Sequence, residues 1–348
     1  MKAARLVGVG GIGTGVFFAL EGEHDLGRNE SRMARRLDVR DYCKLHIVAH
    51  YPARLLGARA SGSPFHVLPV GRVGLDAEGE QLLREMAAAG MDVGFVQQAP
   101  GRPTLLSVCF QYPDGSGGNI TTSDSAASGL LATDVDAVAE FVDDRTIVLA
   151  APEVPLAARR RLLELGQKRG AFAVAAASSA ELRTAEGRGL LGLADLVSLN
   201  QDEAAALGGR PFVPGEAASF FEALSPVRAR LVVTAGAAGA FGRDERGYVH
   251  VPALPVPVAS TAGAGDAVLG GLLTGVAANL PLFPASSRSL AERPADSALD
   301  LGVCLAAYAV GSPHTIPPDV GWARLRSFLA PLGVRFGPAL EGLTGVAA

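Results

Sequence analysis

A run of very small residues ends in a carboxylate and leads directly into an apolar, helix-like segment. The run is STAGAGD at residues 260–266, and DAVLGGLLTGVAANL continues from Asp266. Small side chains let backbone amides approach an anion, and a helix N-terminus adds unpaired N–H donors and a positive dipole. The dipole also keeps a first-turn carboxylate ionised. Such a site could hold a moving phosphoryl group while Asp266 accepts the acceptor's proton. The alternative is an ordinary glycine turn with Asp266 as helix cap.

A second candidate, NQDE at residues 200–203, stands at the end of the apolar stretch DLVSLN. Ligands of open parallel sheets bind at the carboxyl ends of the strands. Asn200 and Glu203 would lie on one side of a first helical turn, where they could order Mg²⁺ and its waters near phosphates. The same spacing also predicts a capping box.

The third candidate is the small-residue turn TAGAAGA at 234–240, which follows the strand-like ARLVV. Thr234, Gly236 and Gly239 could accept a nucleotide phosphate or ribose. Alternatively, this turn begins a hairpin into AFGRDERGYVHV.

These candidates are positioned by short apolar runs that alternate with helix-like segments, as in a parallel sheet covered on both faces. Asp76 is a plausible N-cap for the helix that follows it, and Gly170 ends another predicted helix. The predicted strands are ARLVGVG, PFHVLPVGRVG, TIVLAA, AFAVAAA, DLVSLN and ARLVV. The long C-terminal helices are DAVLGGLLTGVAANL, ADSALDLGVCLAAYAVG and GWARLRSFLAPL.

Two segments interrupt this alternation and could cover the site. TLLSVCFQY alternates, with Leu106, Val108, Phe110 and Tyr112 on one face, and the turn-rich PDGSGG follows it, so a β-hairpin is predicted. The other segment, EGEHDLGRNESRMARRLDVRD, is polar and rich in arginine. PLFPASSRSLAERPADS is predicted to be a surface loop between two helices. Since no linker divides the chain, a single domain over residues 1–348 is expected.

The three candidates, in this order, resemble the ribokinase-like, or PfkB, family of carbohydrate kinases. That family carries D-T-x-G-A-G-D near its C-terminus, N-x-x-E earlier and a T-x-G-x-x-G turn between them. VGRVGLDAEG is similar to the family's G-x-D-x-x-G stretch, and PTLLSVCFQYPDG is similar to its lid hairpin. The resemblance extends from about residue 65 to 315.

The resemblance implies a three-layer αβα sandwich with a mostly parallel central sheet and a small β-sheet lid, here from about 16–41 and 101–122. It implies an ATP- and Mg²⁺-dependent kinase that phosphorylates a hydroxyl or hydroxymethyl group. By matching position, Asp266 is the catalytic base and the backbone of Ala262, Gly263, Ala264 and Gly265 is the anion hole. Asn200 and Glu203 organise Mg²⁺ through water. The implied ATP-site residues are Asn200, Glu203, Thr234, Gly236, Gly239, Thr261 and the segment from Ala307 to His314.

The sequence departs from the family pattern mainly on the acceptor side. Ser260 replaces the first Asp of the signature, and Gly15 stands where sugar-binding members carry an Asp. YCKLHIVAHYPARLLG replaces the usual G-G and Asn before the first long helix. The acceptor is therefore left open among sugars, sugar phosphates and nucleosides, and a non-catalytic nucleotide- or metabolite-binding member is an alternative. Acceptor contacts are predicted at Gly15, His46, Arg72 and Phe110.

An arginine cluster in the polar segment has two interpretations. It is interleaved with acidic residues, which is typical of a solvated, salt-bridged surface. The alternative is that it meets an anionic acceptor such as a phosphorylated sugar. The cluster consists of Arg28, Arg32, Arg35, Arg36 and Arg40.

Composition narrows the function classes. Lys plus Arg number 31 and Asp plus Glu 35, a net charge of −4, which argues against a nucleic-acid partner. The three cysteines are far apart in sequence, which favours a reducing cytoplasm over a disulfide framework or zinc site. No run of 18 apolar residues occurs, so no membrane association is expected. The N-terminal LVGVGGIGTGVFFAL only superficially resembles a signal peptide. A homodimer through the lid is a further expectation.

One motif points to a different class of enzyme. Gly8, Gly10 and Gly13 match the spacing of the dinucleotide-binding fingerprint, which leaves an NAD-dependent oxidoreductase as a remote alternative. The true motif opens a helix and reaches an acidic residue about 20 positions on. Here polar, arginine-rich sequence follows instead.

Overall fold

The computed structural model describes residues 3–22, 24–113 and 117–343. Strands recur along the chain where the apolar runs predict them. In chain order they are β1 Arg5–Val9, β2 Gly13–Leu20, β3 Ala34–Tyr42, β4 His66–Gly74, β5 Val96–Ala99, β6 Leu105–Gln111, β7 Gly117–Thr121, β8 Thr146–Ala150, β9 Phe172–Ala176, β10 Leu196–Asn200, β11 Arg230–Thr234, β12 Ala240–Asp244 and β13 Gly247–Val251.

Helices begin and end largely at the predicted signals. The Asp76 carboxylate accepts a hydrogen bond from the Gly79 amide, and Gly170 ends α4 in the left-handed conformation at φ 74°. The helices are α1 Lys44–Leu55, α2 Ala77–Ala88, α3 Ala132–Val135, α4 Leu156–Arg169, α5 Ser179–Leu182, α6 Ala185–Gly189, α7 Gln201–Gly208, α8 Ala217–Ala223, α9 Ala264–Ala277, α10 Ala298–Val310, α11 Trp322–Leu329 and α12 Pro338–Glu341.

The larger sheet has the order β13-β12-β11-β10-β9-β8-β1-β4-β5. It is parallel from β11 to β5, and the β11–β12 and β12–β13 pairs are antiparallel. Leu6 and Val7, successive residues of β1, belong to two different hydrophobic cores. The sheet is therefore buried on both faces, which confirms the predicted layered α/β fold.

A smaller sheet has the order β3-β2-β6-β7. β3 and β6 come from the two segments that interrupt the alternation, whereas β2 precedes the first of these segments. β6 and β7 form the predicted antiparallel hairpin. Residues 114–116 of the predicted turn lie outside the described residues. The predicted surface loop lies between α9 and α10. Gly13 begins a strand and not a helix, so the dinucleotide fingerprint lacks its helix.

Close helix packing fixes the position of α9, which carries the small-residue run at its start. A Cβ atom at Gly271 of α9 would lie 2.5 Å from the Gly302 Cα of α10. Trp322 and Phe220 are buried. Within the described part of the chain, no helix has both the length and the hydropathy needed to cross a bilayer.

Candidate active site

The small-residue run forms a tight turn that only glycine permits at one position. Gly263 precedes α9 at φ 78°, and a Cβ there would lie 2.6 Å from the Thr315 carbonyl oxygen. The Ser260 hydroxyl accepts a hydrogen bond of 3.2 Å from the Ala262 amide. The Ala264 amide donates to the Thr261 carbonyl oxygen at 3.2 Å, so this amide and that of Ala262, two of the four predicted for the anion hole, already have protein partners. The Gly265 and Asp266 amides, in the first turn of α9, have no carbonyl partner within the helix and are available to an anion.

This turn borders a cavity of about 850 Å³, a volume in the range of small-molecule and nucleotide sites. The structure brings most of the predicted phosphate and nucleotide residues together around it. They are Asn200, Glu203, Thr234, Gly236, Gly239, Thr261, Ala264, Gly265, Asp266 and Ala307. The ends of β10 and β11 supply Asn200 and Thr234, as expected for the carboxyl edge of a parallel sheet.

The rest of the cavity wall is mostly apolar and comes from the segment 253–258 and from α10. Leu254, Val256 and Val303 form a surface suited to a flat aromatic base. Sequence reasoning missed this segment, although its valines and prolines, VPALPVPV, mark an extended apolar stretch. His314 is not among the lining residues, and its Nδ1 accepts a hydrogen bond of 3.0 Å from the Arg40 amide.

Asn200 and Glu203 form the capping box that their spacing predicts, and they also line the cavity. The Asn200 side chain accepts from the Glu203 amide, and the Glu203 carboxylate accepts from the Asn200 amide, both at 2.8 Å. Burial raises the pKa of Glu203. Among the described residues, no group of three or more His, Cys, Asp or Glu side chains could hold a metal ion. Glu203 and the cavity-lining Asp202 are the carboxylates that would hold the waters of a phosphate-bound Mg²⁺, an ion that usually keeps several waters and binds through one or two carboxylates and substrate phosphates.

Lys44 is a site residue that sequence reasoning missed. It is the first residue of α1, and its Nζ lies 3.0 Å from Asp266 Oδ1 inside the cavity. Burial opposes its charge, but the nearby carboxylates of Asp266 and Glu203 hold the pKa of Lys44 above its usual value. The rarity of lysine could have drawn attention to Lys44, because the chain has only three lysines among its 31 basic residues.

Glu153 is a second missed residue. It follows β8 with φ 73°, an unfavourable conformation for a residue other than glycine, and strain of this kind is concentrated at functional sites. Its Oε2 accepts a hydrogen bond of 3.4 Å from the Lys44 amide. Burial raises the pKa of Glu153 to about 7.

Two of the predicted acceptor contacts lie in or beside the smaller sheet. Gly15 of β2 is directly paired with Asp41 of β3. Phe110 of β6 is half-buried and packs edge-on against Tyr112 with ring centroids 5.8 Å apart.

The other two predicted contacts, Arg72 and His46, have protein partners. The Arg72 guanidinium donates to the Asp134 carboxylate at 2.7 Å. His46 is buried in α1, with its ring 4.4 Å from that of Tyr42. Neither Arg72 nor His46 is among the residues that line the 850 Å³ cavity.

Comparisons with known proteins agree with this geometry. A family model described as pfkB family carbohydrate kinase matches residues 48–320. A curated relative, the bifunctional ribokinase/ribose-5-phosphate isomerase A of Fructilactobacillus sanfranciscensis, is 26% identical over 207 residues, 58% of this chain. The aligned part spans only 37% of that relative's length.

Solved structures share the fold over nearly the whole chain. Ribokinase from Cryptococcus neoformans in complex with ADP has a TM-score of 0.72 at 18% identity, covering 94% of this chain and 100% of that one. Burkholderia thailandensis nucleoside kinase in complex with inosine has a TM-score of 0.70 at 19% identity, covering 95% and 99%. Likeness at this level of identity establishes the fold.

Proposed function

We propose that this chain, which belongs to the pfkB family of carbohydrate kinases, transfers the γ-phosphoryl group of ATP to a hydroxyl or hydroxymethyl group of a sugar or sugar-like acceptor. The observation that carries the proposal is the position of Asp266. Its carboxylate stands in the first turn of α9, beside the Gly263–Gly265 amides and at the wall of a nucleotide-sized cavity.

In the proposed mechanism the γ-phosphate lies against the N-terminus of α9. The Gly263 and Gly265 amides stabilise the charge that develops on the moving phosphoryl group, whereas the Ala264 amide is bound to the Thr261 carbonyl oxygen. Asp266 accepts the proton of the attacking hydroxyl, since it is the carboxylate nearest to those amides in sequence. The aromatic base of the nucleotide lies between the apolar walls near Leu254 and Ala307, so that the triphosphate is directed towards Asp266.

Two further residues prepare the site. The Lys44 ammonium orients the Asp266 carboxylate and supplies positive charge next to the phosphates. Glu203, fixed by the capping box, holds water near the same phosphates. Mg²⁺, when bound with the nucleotide, neutralises phosphate charge.

We propose further that residues 1–348 belong to one domain and that the smaller sheet acts as the lid over the acceptor. The partner is a small molecule and not a nucleic acid or a membrane, the location is the cytoplasm, and the lid is the expected surface of a homodimer.

An ADP-release screen tests the proposal. The protein is incubated with ATP and Mg²⁺ and with free sugars, sugar phosphates and nucleosides in turn, and the Asp266→Asn protein serves as the background control. We expect at least one acceptor to stimulate ADP formation well above that background. ATP binding without acceptor-stimulated ADP formation across the panel would instead favour a non-catalytic nucleotide-binding protein.

A further inference from the structure

A row of polar residues crosses the smaller sheet from strand to strand. Asp41 of β3 pairs with Gly15 of β2, Gly15 pairs with Ser107 of β6, and Ser107 pairs with Thr121 of β7. Paired residues direct their side chains to the same face of a sheet. The Ser107 and Thr121 hydroxyls are hydrogen-bonded at 2.9 Å, and both Asp41 and Ser107 are buried. One face of this sheet thus presents a carboxylate and two hydroxyls.

The glycine in the middle of the row makes room for the carboxylate. A Cβ atom at Gly15 would lie only 1.9 Å from Asp41 Oδ2, so any other residue would displace the Asp41 side chain. The carboxylate therefore lies over the backbone of β2 and does not point into solvent.

Asp41 lacks a cationic partner in the described part of the chain. Among the described residues, no Arg, Lys or His side chain forms an ion pair with it, and its contacts are the Tyr42 amide, the Thr315 hydroxyl and the Cys109 thiol at 3.8 Å. Burying a carboxylate without a counter-ion is unfavourable. A side chain retained at that cost, near a candidate active site, is a functional candidate.

The same face is directed towards the candidate active site. Burial raises the pKa of Asp41 to about 6, and the negative charge of nearby Asp266 adds to this effect. Cys109, two residues beyond Ser107 on the same face of β6, is close enough to Glu153 for that charge to raise its pKa. The row therefore faces Asp266 and Glu153 and not the outer solvent.

We propose that Asp41 binds hydroxyl groups of the acceptor from the lid, with Ser107 beside it, and that the acceptor is an uncharged polyol and not a phosphorylated one. This inference rests on the proposed kinase function. Carboxylates accept hydrogen bonds from hydroxyl groups and repel a phosphate monoester. Asp41, Glu153 and Asp266 surround the position, and Lys44, the cation there, is already paired with Asp266.

Arg32, the least exposed member of the arginine cluster, already has protein partners and does not supply a counter-charge to Asp41. Arg32 is bound by Glu30 and by the carbonyl oxygens of His24 and Asp25. Arg35, Arg36 and Arg40 are exposed. Exposed arginines interleaved with acidic residues are typical of a solvated surface.

The test compares acceptors and variants in the same ADP-release assay. D-Ribose and D-fructose are assayed against ribose 5-phosphate, fructose 1-phosphate and fructose 6-phosphate, each of which keeps a free hydroxyl for transfer. We expect turnover with a free sugar and at least about tenfold lower kcat/KM with its phosphates, since a repelled anion loses more than 1.4 kcal/mol of binding. Turnover that is faster with the phosphates would overturn the inference while leaving the kinase function intact.

Asp41→Asn keeps the shape of the side chain and removes its charge. We expect the acceptor KM to rise about 10- to 100-fold, the scale of a lost hydrogen bond to a charged group. The KM for ATP should stay within about twofold, a difference of under 1 kcal/mol. Asp38→Asn, at an exposed position of the same strand, is the matched control and should leave all constants unchanged.

A second variant keeps the inference testable if the Asp41→Asn protein does not fold. Ser107→Ala removes one hydroxyl from the row and should raise the acceptor KM by about 3- to 10-fold, the effect of one neutral hydrogen bond. Melting midpoints of both variants without ligand establish that they are folded. An unchanged acceptor KM in the folded Asp41→Asn or Ser107→Ala protein overturns the inference. Absence of turnover with every acceptor in the wild-type protein overturns the proposed function and this inference together.

Discussion

Lys44 Nζ lies 3.0 Å from Asp266 Oδ1, and this ion pair joins the first residue of α1 to the first turn of α9. Because β3 ends at Tyr42, two residues before Lys44, the pair connects the smaller sheet to the turn at residues 260–266. The Thr315 amide, which donates to the Arg40 carbonyl oxygen, makes a second connection between β3 and that turn, since Thr315 also packs against Gly263. The smaller sheet is thus connected to the turn at residues 260–266 through both an ion pair and a backbone hydrogen bond.

Replacing Lys44 by Met keeps the length of the side chain and removes its charge. We expect kcat/KM for ATP to fall at least about 100-fold, because the variant leaves a partly buried Asp266 without its cation and removes positive charge from beside the phosphates. Steady-state kinetics with a saturating acceptor measure this. Lys168→Met, on the exposed surface of α4, is the control, and equal activity of the two variants would exclude a role for Lys44.

Gly263→Ala tests whether the turn before α9 must have its observed shape. The substitution places a Cβ at positive φ and 2.6 Å from the Thr315 carbonyl oxygen, so the turn has to move. We expect kcat to fall by at least about 100-fold, the scale of a lost oxyanion-hole donor, and the melting midpoint to fall as well. Gly192→Ala, where the added methyl group meets open space, should match the wild type in both measurements.

Ser260 performs in this turn a task that an Asp could also perform. Its hydroxyl accepts from the amide two residues later, an arrangement that Asp side chains form equally well. Ser260→Ala should lower kcat by about 3- to 10-fold, the effect of one ordinary hydrogen bond. Ser260→Asp should retain wild-type kcat within about twofold, under 1 kcal/mol. Full activity of Ser260→Ala would show that the hydroxyl does not support the turn.

Replacing Glu153 by Gln should change how the free energy of unfolding depends on pH. Burial raises the pKa of Glu153 from 4.5 to about 7, so the folded protein binds this proton more tightly than the unfolded chain. The contribution of Glu153 to the unfolding free energy therefore declines as pH rises from about 4.5 to 7, by about 3 kcal/mol. The variant should gain stability relative to the wild type by about this amount between pH 4.5 and pH 8.

Chemical denaturation at several pH values measures this gain. Glu140→Gln, at an exposed site, is the control and should show no such trend. A stability difference between Glu153→Gln and the wild type that does not vary with pH would contradict the prediction.

Local sequence signals predicted much of the fold because each acts over a few residues. The apolar runs became strands of the larger sheet, and Asp76 and Gly170 mark a helix start and a helix end as predicted. The Asn200–Glu203 spacing produced its capping box. Asn200 and Thr234 line one cavity because parallel strands bring their carboxyl ends to one edge. The prediction that the three motifs form one site came from their resemblance to the family pattern.

Residues from the smaller sheet and its neighbours were not predictable in the same way. Asp41 acquires its environment by pairing with Gly15, 26 positions earlier, and Lys44 meets Asp266 only because α1 packs on α9. Glu153 is distinguished by its backbone conformation, which no local motif announces. Contacts between distant segments of the chain decide these positions, and periodicity and spacing do not encode such contacts.

The central claim is that Asp266 is the base for phosphoryl transfer, and Asp266→Asn tests it most directly. The variant is isosteric, so ATP affinity measured by calorimetry should stay close to that of the wild type, while kcat with the best acceptor should fall at least about 100-fold. Asp202→Asn, a second acidic residue at the wall of the same cavity, serves for comparison and should lose less. Turnover of Asp266→Asn near the wild-type rate would contradict the account.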